Sequence, residues 1–91
     1  MGHILPADAG EAVAQCELGL ILIEHQRPER AVCWLELAAA QGHADAMQWL
    51  GKLHARGEGV ERDEAQAIEW IKHAAAHGHL IAQRQVEELG L

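Results

Sequence analysis

Apolar residues recur along this chain at helical spacing, and they do so twice over. Ala14, Leu18 and Gly19 reappear as Ala46, Leu50 and Gly51, 32 residues on. The stretch 31–43 reappears as 67–79, 36 residues on. Alanine, tryptophan, a run of three alanines, glycine and histidine coincide across that second pair. The offset grows because the second unit carries four extra residues in its internal turn, around Arg56-Gly57-Glu58-Gly59-Val60. A third unit opens at Ala82 and Val86 and is not completed. Internal repeats of this length mark solenoids built from one supersecondary unit.

The punctuation fits five helices, near 9–25, 29–41, 44–56, 63–77 and 80–89. Asp8 with Glu11 makes a capping-box pattern before the first, and Asp63 with Gln66 repeats it before the fourth. Pro28 suits the first turn of the second helix. Gly42 and Gly78 suit the left-handed position that ends a helix. The predicted class is all-α, an αα-hairpin repeat solenoid. The chain divides as repeat one at about 11–43, repeat two at about 44–79 and a closing helix at about 80–89, within one domain of 1–91.

Composition agrees. Nearly half of the 91 residues are hydrophobic, and the chain has no Tyr and no Phe. Alanine, the best helix former, dominates the apolar set. Gly19 and Gly51 let a paired helix approach closely, and Ala38, Ala39, Ala74 and Ala75 do the same from the other side. Trp34 and Trp70 are then the residues expected to fill the remaining space.

These residues resemble the Sel1-like repeat family, relatives of the tetratricopeptide repeat. The second unit carries the family pattern nearly throughout: Ala46, Leu50-Gly51, Gly57-Glu58-Gly59-Val60, Asp63, Ala67, Trp70, Ala74-Ala75, Gly78 and Ala82. The first unit lacks the glycine-rich turn, and in the third Glu87 stands where the glycine belongs. The resemblance covers roughly residues 11–89. It implies an αα-superhelix with an adaptor or scaffold role and names no partner. It also implies a concave groove lined by the first helix of each hairpin. Here that means Cys16, Leu20 and Ile23, then Gln48, Lys52 and Arg56, then Arg84 and Glu88. Such a groove suits a peptide or helix with an apolar anchor and an acidic or polar tail.

Charge narrows the partner. Fourteen acidic and seven basic residues leave a net charge of −7. A nucleic-acid binder needs a basic face, and the sequence offers none. An anionic membrane surface is disfavoured for the same reason. The N-terminus reads as no secretory signal, so the cytoplasm is the expected compartment. Cys16 and Cys33 are expected to be free thiols, since a hairpin turning near 26–27 offsets them by roughly 6 Å along the axis.

The first helix is unusual. Leu18-Gly19-Leu20-Ile21-Leu22-Ile23 is apolar on every side, whereas a terminal repeat should present a polar outer face. The expectation is self-association through Leu20, Ile21 and Ile23. The competing one is a cover supplied by residues 1–7 with Ile4 and Leu5. Candidate chemistry is thin. His73 and His77 stand one helical turn apart, a spacing that can chelate zinc, with no acidic third ligand between them. Gly57-Glu58-Gly59 follows no strand and is read as a turn, not a phosphate loop. Neither cysteine sits in an evident dyad with a histidine. No catalytic residue, cofactor or metal is expected. A zinc-binding protein and a purely structural homo-oligomer are the alternatives to a protein-binding adaptor.

Overall fold

A computed structural model describes residues 7–91, with side chains from Gly10 onward. Five helices follow one another: α1 (Ala7–Glu24), α2 (Pro28–Ala40), α3 (Ala44–Arg56), α4 (Glu64–Ala76) and α5 (Leu80–Leu89). No strand occurs among the described residues, so the all-α expectation holds. Each helix packs on the next, α1 on α2, α2 on α3, α3 on α4 and α4 on α5. The Cα envelope measures 45 × 30 × 16 Å. Its short dimension fits two layers of helices.

Local chemistry sets most of the helix ends. Pro28 opens α2, where its missing N–H costs nothing. Asp63 accepts a 3.0 Å bond from the Gln66 N–H and so caps α4. Gly42 and Gly78 sit at φ 86° and 88°, just past α2 and α4. The first helix departs from expectation: it already runs from Ala7, so Asp8 lies inside it and not ahead of it. The side chain of Asp8 and any cover from residues 1–6 lie outside the described residues.

The two hairpins close by one device. A Cβ at Gly19 would lie 2.9 Å from Leu35 Cγ, and one at Gly51 would lie 3.0 Å from Ile71 Cγ1 and 3.2 Å from the Ala67 carbonyl. Each glycine thus receives an aliphatic side chain from the partner helix. This corrects the expectation for Trp34 and Trp70. Both rings are only half-buried, and the residue after each of them fills the gap. An indole is too wide for helices brought to glycine contact, whereas a branched aliphatic chain fits. The fully buried large side chains are Leu35, Leu50 and Leu53. Around them pack Ala12, Ala38, Ala39, Ala46, Ala74 and Ala82.

Three contacts tie the repeats together. The turn after α3 presses onto the start of α2, where a Cβ at Gly59 would lie 2.5 Å from the Pro28 carbonyl oxygen. With φ at 76°, only glycine suits that place. Gln48 of α3 donates to Gln85 of α5 at 2.8 Å. His79 caps α5 by accepting the Ala82 N–H on Nδ1 at 3.2 Å, and its Nε2 meets Asp45 of α3 at 3.0 Å. With Nδ1 as acceptor, Nε2 carries the proton and donates. One histidine therefore starts a helix and fastens it to the preceding repeat.

Cys16 is buried in this core and Cys33 is exposed, both as free thiols. Burial, and then the negative charges of Asp45 and Glu17, push the Cys16 thiol up from 9.0 to about 11.

Gly51→Leu is expected to cost about 3 kcal/mol or more, because it wedges α3 from α4, and thermal unfolding measures it. For the thiols, alkylation of the folded protein at mildly alkaline pH should modify Cys33 alone, with Cys16 reacting only after unfolding. The pH dependence has a definite sign. The folded thiol of Cys16 ionises later than the unfolded one, so its contribution to stability is intact below pH 9.0 and is lost between there and about 11. Cys16→Ala should flatten that decline in a denaturant titration series.

Candidate protein-binding face

The first helices of the hairpins, α1 and α3, stand beside α5 in one layer. α3 and α5 are joined by the Gln48–Gln85 and Asp45–His79 bonds, and Cys16 of α1 lies within the field of Asp45. The residues expected to line a groove occupy equivalent turns of these helices: Cys16 and Leu20, then Gln48, Lys52 and Arg56, then Arg84 and Glu88. Their accessibility differs sharply. Cys16 and Gln48 are buried at the seams between helices, each about 3% exposed. Leu20, Ile23 and Lys52 are half-buried, with Ile23 packed against the core. Arg56, Arg84 and Glu88 are exposed. The accessible face is therefore apolar over α1 and charged over α3 and α5.

Its centre holds a residue that the sequence reading passed over. Trp49 is half-buried on α3 and packs against the core, and Lys52 Nζ rests 4.5 Å from its ring centroid. The ring's negative face attracts the ammonium and holds it in place. Trp49 belongs to the 32-residue pattern as the counterpart of Glu17, and nothing in that correspondence marks it as central. Its rank comes from position on the helix, one residue on from the buried Gln48. Arg56 continues the stripe one turn on and meets Glu58 at 3.8 Å. Gln48 spends its amide N–H on Gln85, while its buried Oε1 has no protein partner.

The self-association residues divide too. Ile21 is exposed, whereas Leu20 and Ile23 are turned partly inward. Leu18 and Val13, both exposed, extend the apolar surface of α1.

The histidines act locally. Nδ1 of His77 is 2.9 Å from the His73 carbonyl oxygen, and the His73 ring stands edge-on to Trp70 at 5.9 Å. Among the described residues no three metal-binding side chains cluster. The acidic group at the start of α4 is a solvated helix start: Asp63 caps, and Glu64 pairs with Arg62. Gly57-Glu58-Gly59 forms the turn between α3 and α4, as read from sequence. No hydrogen bond among the described residues joins either thiol to a histidine.

The Sel1 repeat family model matches residues 12–43 and again 44–79. The crystal structure of a Sel1 repeat protein from Oxalobacter formigenes is similar at 33% identity, with a TM-score of 0.76, over 94% of this chain and 70% of that one. No curated protein matches. Repeated family matches over most of the chain, joined to a solved relative of the same helical path, mean that this chain belongs to the Sel1 repeat family, a non-catalytic scaffold type whose members in general mediate protein–protein interaction.

Proposed function

We propose that this protein is an adaptor whose α1–α3–α5 face binds an extended peptide or helix with one aliphatic anchor followed by acidic residues. The supporting observation is the Trp49–Lys52 pair. It places a flat apolar surface and a fixed cation side by side on an accessible face, in a chain whose net charge is −7. Leu20 and Ile23 flank it on the α1 side and suit the anchor. Arg56 and Arg84 extend the positive charge and suit the acidic tail, with Glu88 setting the polar limit of the site. Tryptophan and arginine are enriched among the few residues that dominate binding energy in protein interfaces. Free thiols fit a reducing compartment, and we place the protein in the cytoplasm.

A second reading accompanies the first, favoured by a different observation. Val13, Leu18 and Ile21 leave α1 with an exposed apolar surface, which suits self-association.

The test of the binding face is a titration against a synthetic peptide of one leucine followed by glutamates, by fluorescence anisotropy. Trp49→Ala is expected to weaken binding by about 30-fold, or about 2 kcal/mol. Lys52→Glu should weaken it by about tenfold, and added salt should reproduce part of that loss. Affinity unchanged in both variants, each with intact helicity, would remove this face from consideration.

A further inference from the structure

His79 holds the start of α5 through two ring nitrogens with opposite roles. Nδ1 accepts the Ala82 N–H of the first turn at 3.2 Å, and Nε2 donates to Asp45 of α3 at 3.0 Å. Only the neutral imidazole with its proton on Nε2 does both. The ring is largely enclosed, with 13% of the side chain exposed. Ala82 is fully buried in the core, so its N–H depends on Nδ1 for a partner.

A second proton on this ring lands on Nδ1. It turns the acceptor into a donor, sets it against the Ala82 N–H and leaves a buried donor unpaired. The start of α5 is also the positive end of a helix dipole, which repels a cation there. Asp45 acts the other way, because its carboxylate holds an imidazolium at Nε2 more firmly than a neutral ring. These effects fall on different bonds. The cation keeps α3 and gives up the first turn of α5.

The surrounding elements leave that division intact. Among the described residues Asp45 is the charged group in ion-pair reach of the ring. Cys16 of α1 lies behind it, in the field of Asp45. His77, at the end of α4, has its Nδ1 against the His73 carbonyl oxygen. On α5 the nearest charge in sequence is Arg84, which is exposed. The device is particular to α5 among helices α2 to α5. His43, 36 residues earlier, makes no side-chain cap on α3, and α4 is capped by a carboxylate oxygen of Asp63.

We propose that His79 is a proton-operated catch: mild acid releases the first turn of α5 while the ring stays on Asp45. Arg84 and Glu88 of the proposed binding face ride on α5, so the catch tunes that edge of the face. This consequence alone rests on the binding reading above.

Amide hydrogen exchange followed by NMR, corrected for the intrinsic pH dependence of exchange, reads the catch residue by residue without a ligand. From about pH 7.5 to about pH 5.5, across the imidazole range, the Ala82 amide is expected to lose about tenfold in protection, the size of one lost cap. Gln66, held by Asp63, should keep its protection over the same interval, since carboxylates ionise well below it. His79→Asn caps a helix start without titrating, so Ala82 should be held alike at both pH values in that variant. Equal protection of Ala82 at both pH values in the unaltered protein overturns the proposal. So does a fall of the same size in His79→Asn, which would assign it to another group. A fall at Ala82 with no change in affinity for the leucine–glutamate peptide supports the catch and overturns its link to the face.

Discussion

Everything in this fold depends on how closely two helices of a hairpin approach each other. The approach is set at Gly19 and Gly51, where Leu35 and Ile71 lie against bare backbone. A small repeat protein has little apolar surface to bury, so short interhelical distances raise the density of contact per residue. The alanines at 31, 38, 67 and 74 extend the same logic along α2 and α4. Large side chains are correspondingly few in the core. The tryptophans move to its margin, where a wide ring can rest on the packed helices without entering between them.

That displacement shapes the surface. With Trp49 at the edge and not the centre of the core, one of its faces takes the Lys52 ammonium. The polar ties between α3 and α5 lie beside it. Gln48–Gln85 and Asp45–His79 hold α5 against α3, while its Leu80, Ile81 and Leu89 stay exposed beside Arg84, Glu87 and Glu88. At α1 the chain presents Val13, Leu18 and Ile21 to solvent, and at α5 it presents Leu80, Ile81 and Leu89 beside Glu87 and Glu88.

The architecture was legible in the sequence because repetition exposes it. The 32- and 36-residue offsets located both hairpins, Pro28 and Asp63 located helix starts, and Gly42 and Gly78 located helix ends. These are local signals, each tied to a backbone group that needs a partner or a φ that needs a glycine. Asp8 misled because a capping pattern also fits inside a longer helix. The candidate face was only half legible. The family resemblance put Gln48, Lys52 and Arg56 along one groove, yet it did not distinguish Gln48, buried at a seam, from Arg56, open to solvent.

The sequence by itself determined the helices, their order and the glycine positions at which they meet, since these follow from period, capping and steric size along one chain. Only the tertiary structure decided which side chain fills each glycine gap, that Leu35 and Ile71 do so in place of the neighbouring tryptophans. Only it decided that Trp49 lies under Lys52 and that His79 reaches back to Asp45. Those outcomes depend on the rotation of one helix against another. The repeat pattern constrains that rotation to within a residue, and a change of one residue carries a side chain about 100° round the helix, from core to seam or from seam to surface.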